Sequence, residues 1–250
     1  RVLRWTTKVK SLEDEATWKD LERREDLGAF LLSYLSSPYS TESPLLILGH
    51  PGSGKSLLTT VLSSQLMSKQ FTAIRVPLRE VNAEAGIVTQ IEEAIRRITN
   101  VSVDSWAKLS SAFKNNPPLV ILDGYDELLQ ASGKVFSGYL KDVQNFQKSE
   151  AEQGHPVRVI VTSRVTLIDK ATVPSGATIV RLLEFDRTQQ ERWITIWNHA
   201  NVNYFREAKT KEFALPDEKE SGAEKILALA QQPLLLLMLA LYDSQDNQLR

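Results

Sequence analysis

The chain has no cysteine among its 250 residues. That excludes thiol catalysis, thiolate metal sites and disulfide staples, and a core of this size needs no staple. A cysteine-free composition fits a reducing, cytoplasmic location, although drift alone produces the same composition. A charge surplus of either sign is also missing: 30 Lys and Arg stand against 31 Asp and Glu, a net charge of −1. Nucleic-acid-binding domains carry a basic excess, so no nucleic-acid partner is evident. Long apolar runs are scarce too. The longest, Pro233 to Tyr242, is about half of what a membrane span requires and reads as a buried helix, so no membrane partner is expected. No signal-peptide pattern precedes the first helix-like segment. The chain opens on Arg1 rather than methionine and stops at Arg250, just after that helix. A piece of a longer protein is expected.

What is present is a soluble-protein composition, 42% hydrophobic and 24% charged, arranged in a recognisable order. Ser11 to Leu35 reads as one or two helices, with Trp18, Leu21, Leu27, Leu31 and Leu35 at helical spacing. Pro38 to Pro44 is a polar break. Leu45 to Leu48 is a short unbroken apolar run, the mark of a strand buried on both faces. Similar runs recur at Thr72–Val76, Leu119–Leu122, Val157–Val161 and Thr178–Leu182. Helical patterns lie between them at Lys55–Ser68, Ile87–Ile98, Ser105–Asn115 and Lys134–Lys148. Strands alternating with helices predict an α/β fold, a mainly parallel sheet flanked by helices. After Leu183 the strand pattern stops. Trp193, Ile196, Trp197 and Ala200 mark an amphipathic helix, Asn201 to Ser221 is polar, and a last helix is predicted over Gly222 to Tyr242. The predicted organisation is a helical lead-in over 1–43, a nucleotide-binding domain over 44–183 and a small helical domain over 184–250.

Gly49-His50-Pro51-Gly52-Ser53-Gly54-Lys55-Ser56 fits the pattern G-x-x-x-x-G-K-[ST] in full, with a strand before it and a helix after it. The glycines let successive backbone N–H groups turn toward a phosphate chain. Lys55 offers a mobile cation for the β- and γ-phosphates, the Ser56 hydroxyl is a ligand for Mg²⁺, and the helix dipole faces the anion. Nucleotide contacts are expected along Gly49–Leu57; His50 and Pro51 occupy free positions of the pattern. Leu119 to Leu122 ends in Asp123, a carboxylate placed to hold Mg²⁺ directly or through water. Asp126 and Glu127 follow, and a negative group there would orient the attacking water. Capping the next helix is the alternative role for both. The cofactors expected are therefore ATP or ADP with Mg²⁺.

Leu122-Asp123-Gly124-Tyr125-Asp126-Glu127-Leu128 resembles the corresponding motif of NACHT domains, in the STAND group of P-loop NTPases. A small residue after the aspartate and an acid two further on set that motif apart from AAA+ motors, which place glutamate directly after the aspartate. Val76-Pro77-Leu78-Arg79-Glu80 resembles the family's second strand and its exit. Val159-Ile160-Val161-Thr162-Ser163-Arg164 resembles the strand whose closing arginine senses the γ-phosphate, with Val165 where the family often has proline. Gln232-Pro233-Leu234-Leu235 resembles the helical-domain motif whose proline packs against the base, and Phe185 to Trp197 the entry to that domain. Arg164 could instead pair with a surface acid, and Pro233 could simply start a helix. The resemblance spans roughly residues 43 to 242. It implies a slow ATPase switch, ADP-bound and monomeric when off, ATP-bound and ring-forming in the activated full-length protein, serving innate immunity or antiphage defence. It also implies that the present chain alone is a monomer retaining nucleotide between its two domains. An AAA+-like remodelling motor and a catalytically dead nucleotide-binding scaffold are the alternatives. No Asn-Lys-x-Asp motif for reading guanine is present.

Overall fold

A computed structural model describes residues 2–4, 11–67, 71–100, 105–113, 116–132, 137–220, 222–245 and 247. The expected helix ends at Ser68, Lys114, Asn115 and residues 134–136 lie outside these. The described chain divides into two compact units, residues 1–50 with 55–182, and residues 51–54 with 183–250.

The first unit is built on a six-stranded sheet in the order β1-β6-β2-β5-β4-β3. The strands are β1 Val2–Arg4, β2 Leu45–Gly49, β3 Ala73–Pro77, β4 Leu119–Asp123, β5 Arg158–Arg164 and β6 Thr178–Arg181. β2 to β6 are parallel to their neighbours, and β1 alone runs antiparallel, along β6. Successive strand residues point to opposite faces, so each apolar run feeds two cores at once. Leu46, Leu48, Val120, Leu122, Val159 and Val161 enter one. Leu45, Ile47, Leu119, Ile121 and Ile160 enter the other. Burial on both faces is why these strands carry no alternating polar residues. The helices between them are α3 Lys55–Met67, α4 Ile87–Thr99, α5 Trp106–Ala112, α6 Tyr125–Ser132 and α7 Tyr139–Glu152; a short α8, Val165–Ile168, follows β5.

The lead-in is not purely helical, as the sequence suggested. It holds α1 Glu15–Lys19 and α2 Leu27–Leu35, but β1 precedes them and extends the sheet. The segment is pinned by polar contacts: Leu12 N–H donates to Asp169 at 2.8 Å and the Trp18 indole N–H donates to the Leu12 carbonyl at 2.8 Å.

The second unit contains α9 Arg187–Ala200, α10 Val202–Ala208, α11 Ala223–Ala230 and α12 Pro233–Asp243. α9 opens on a capping box formed by Asp186 and Gln189. The stretch read as merely polar includes α10, held by one buried apolar side chain, Phe205. Two readings need correction. The single helix predicted over Gly222 to Tyr242 is two helices, because proline pushes the residue before it out of helical geometry: Gln232 is extended at φ −94°, ψ 122°. Nor is the last helix buried. Leu236 and Ala240 face inward, whereas Leu234 and Met238 are 51% and 55% exposed and Leu241 and Tyr242 are exposed as well.

Candidate nucleotide site

All five residues of β2 are buried, and the chain leaves it at Gly49 and re-enters regular structure at Lys55. Gly52 and Gly54 lie at φ +77° and +86°, a region that other residues enter only with strain. Lys55 Nζ donates to the Gly49 carbonyl at 2.9 Å and the His50 carbonyl at 3.1 Å. The ammonium therefore sits at the mouth of its own loop. Burial lowers the Lys55 pKa from its ordinary 10.5; Asp126, Asp123 and Glu127 act in the opposite sense, and Arg164 adds to the lowering. The first unit thus gathers five of the expected charged groups, Lys55, Asp123, Asp126, Glu127 and Arg164, within electrostatic reach of one another.

Parallel pairing explains that gathering. β4 and β5 run in the same direction as β2, so their carboxyl ends open onto one edge, and Gly49 is level with Arg164. Asp123, only 4% exposed, ends β4. Its Oδ1 accepts the Thr162 hydroxyl at 2.7 Å. Its Oδ2 accepts the Thr59 hydroxyl at 3.1 Å and the Arg75 guanidinium at 2.5 Å from Nη2 and 3.2 Å from Nε. Thr162 Oγ1 accepts the Gly124 N–H at 2.9 Å, which ties the turn after β4 to β5. Gly124 lies at φ +89°, and a Cβ placed on it would stand 3.0 Å from the Glu127 carboxylate. The turn needs glycine twice over, for its backbone and for the side chain folded across it.

α6 begins at once after this turn. Tyr125, whose hydroxyl burial pushes up to about 12, stacks on Tyr139 at 5.3 Å. The Tyr139 hydroxyl donates to Gln90 Oε1 at 2.8 Å, so the start of α6 is braced from α7 and α4. Asp126 is thereby aimed at β5: its Oδ2 accepts Arg164 Nε at 2.7 Å, and its Oδ1 accepts the Arg164 N–H at 3.1 Å. The arginine and the acid assigned to different tasks in the sequence are partners here. Val165, buried, starts α8 directly after Arg164.

Pro51–Gly54 belong with the second unit. There the Leu234 N–H, at the start of α12, donates to the Gly52 carbonyl at 3.2 Å, and Gln232 Oε1 stands 3.5 Å from where a Gly52 Cβ would be. Pro233 lies between these two contacts, at the first position of its helix. Ser56 and Leu57 are exposed, Leu57 at 69%. Ser53 Oγ is buried without a hydrogen-bond partner among the described residues, a hydroxyl available to a ligand oxygen.

Three residues of the cluster carried no assigned role in the sequence: Thr59, Arg75 and Thr162. Arg75 had a visible signal, being the lone charge in the apolar strand Ala73–Pro77. The donor set suits Mg²⁺. Among the described residues no three His, Asp or Glu side chains gather as a self-sufficient metal site. Mg²⁺ needs only one or two carboxylates when phosphates complete its shell. No helix among the described residues is long and apolar enough to cross a membrane.

No curated protein matches the chain in sequence. Among solved structures, PCH-2 of C. elegans is 14% identical, with a TM-score of 0.47 over 94% of this chain and 66% of that one. AMPPCP-bound DnaA from Aquifex aeolicus is 15% identical, with a TM-score of 0.45 over 97% and 69%. A STAND protein with a tetratricopeptide repeat sensor from Pyrococcus horikoshii is 17% identical, with a TM-score of 0.39 over 83% and 29%. The chain therefore spans about two thirds of the first two and under a third of the last. Residues 45–187 match the ATPase family associated with various cellular activities (AAA), a stretch that contains Lys55, Asp123 and Arg164. The chain belongs to the AAA family of P-loop ATPases.

Proposed function

We propose that this ATPase domain is the core of a NACHT-type signalling switch, cytoplasmic, ADP-bound when off, and ATP-bound and ring-forming when on, in innate-immune or antiphage signalling. The observation that supports this reading most is the turn after Asp123. A motor would carry glutamate there; this chain has Gly124 at φ +89°, with Glu127 folded over the space a side chain would need. The nearest alternative acid, Asp126, is held by two bonds from Arg164. Water activation therefore waits on separation of that pair, which suits a slow, gated ATPase.

In this reading Lys55 leaves the Gly49 and His50 carbonyls to meet the β- and γ-phosphates, and the loop N–H groups with Ser53 Oγ line their path. Ser56 and Asp123 would hold Mg²⁺, which would neutralise phosphate charge there. Arg164 turns from Asp126 toward the γ-phosphate, and the freed Asp126, with Glu127 beside it, orients water.

The family match favours a second reading, an AAA remodelling motor. Steady-state ATPase rate separates them. A switch should turn over near 10⁻³ s⁻¹, on the order of an unassisted GTPase. A motor should reach about 1 s⁻¹ or more. Fast turnover by the purified chain would sink the switch.

A further inference from the structure

We propose that Arg75 is an internal counter-ion that occupies Asp123 in place of a divalent cation, and so sets the Mg²⁺ concentration at which the site takes up metal and nucleotide together. The inference rests on the reading of Asp123 as the Mg²⁺ carboxylate.

Arg75 stands in the middle of β3, an otherwise apolar strand. A guanidinium in such a place needs compensation for lost hydration. The register supplies it. Pro77 is level with Asp123 and Arg75 with Ile121, so Arg75 and Asp123 are two positions apart on one face of the sheet. Nη2 and Nε both reach Oδ2, and Nε also donates to Thr59 Oγ1 at 3.1 Å.

The two partners differ in freedom. Asp123 is 4% exposed, and its Oδ1 is held by Thr162, which is itself held by Gly124. Arg75 is 27% exposed and has a solvent side to withdraw toward. A cation approaching Asp123 must therefore take Oδ2 from Arg75, and Arg75 is the partner that yields. When only a fraction of molecules presents a free Oδ2, the apparent dissociation constant for the cation rises by the inverse of that fraction. A guanidinium fork holds the carboxylate by two contacts, where an ammonium would hold it by one.

Release of a fluorescent ADP analogue from the full 250-residue chain, followed across a Mg²⁺ titration and in EDTA, tests the proposal. In the unaltered chain release slows as Mg²⁺ rises. Arg75→Gln should lower the half-effective Mg²⁺ concentration by about tenfold, the change expected if one molecule in ten presents Oδ2. Release in EDTA should be unchanged. The nucleotide-free variant should melt earlier, and Mg²⁺ with ADP should close that gap. Arg75→Lys should fall between the two proteins, and decides alone if Arg75→Gln does not fold. An unchanged or raised half-effective concentration overturns the role of Arg75, as does faster release in EDTA, which would place Arg75 on the nucleotide. If the unaltered chain binds the analogue with no response to Mg²⁺, the reading of Asp123 falls and the proposal falls with it.

Discussion

The two units solve burial differently. In the sheet unit every residue of β2 and β4 is buried, and apolar side chains fill both faces. In the helical unit the buried apolar cluster is Phe213, Ala230, Leu236 and Ala240, ringed by half-buried aromatics such as Trp193 and Trp197 stacked at 5.4 Å. The first arrangement fixes strand ends, and two charged groups of the site, Asp123 and Arg164, close β4 and β5. The second leaves half of α12 in solvent, and its own Gly52 carbonyl accepts the Leu234 N–H. The larger core and the charged groups Lys55, Asp123, Asp126, Glu127 and Arg164 belong to one unit, the small half-exposed core to the other.

The largest expected effect tests that contrast in the cores. Leu122→Ala removes three carbons between packed strands, where nothing can collapse into the space. It should cost about 3–5 kcal/mol, the upper part of the range for such truncations. Leu236→Ala, in a small core with a half-exposed rim, should cost nearer 2 kcal/mol, at the lower end. Scanning calorimetry of both variants checks the order, and a costlier Leu236→Ala would break the contrast.

Next comes charge. Lys55→Ala removes the mobile cation, and charge-assisted contacts are worth about 1.5–3 kcal/mol each, so affinity for a fluorescent ATP analogue should fall roughly 10- to 150-fold. Wild-type affinity would mean that the loop is not the site.

The Asp126–Arg164 pair should show a smaller and more selective effect. Arg164→Ala should weaken ATP by about tenfold, one contact's worth, and leave ADP nearly unchanged in calorimetry. Asp126→Ala should leave ATP bound and slow its single-turnover cleavage. Equal losses of both nucleotides in Arg164→Ala would make the pair purely structural, a brace between α6 and β5.

How much of this was legible in the sequence follows the same division. The five parallel strands were readable because burial on both faces forces unbroken apolar runs such as Leu45–Leu48, which only a sheet interior tolerates at that length. The loop was readable because the Gly and Lys spacing is local: Lys55 reaches carbonyls five and six residues back. Arg75 was visible as an odd charge, but its partner lies 48 residues away, and a register cannot be read from one strand. β1 escaped because three residues carry no period. The exposed side of α12 escaped for the opposite reason: a helix apolar all round has no phase, so composition alone says buried.

That last misreading supports the smallest predicted effect. Met238 sits mid-helix and is 55% exposed. Lys and Met have nearly equal helix propensity, so Met238→Lys costs α12 little in the backbone. Exposed substitutions clear of caps and networks usually stay within about 0.5 kcal/mol. Were α12 buried, a lysine there would meet apolar surroundings and cost several-fold more, or neutralise by shifting its pKa. For a chain of this size 0.5 kcal/mol corresponds to about 1–2 °C of melting temperature. A drop many times larger would restore the buried helix and mean that Leu234, Met238, Leu241 and Tyr242 are covered in solution. An unchanged melting temperature keeps them as the open apolar side of a loosely cored unit, the feature that most separates it from the sheet.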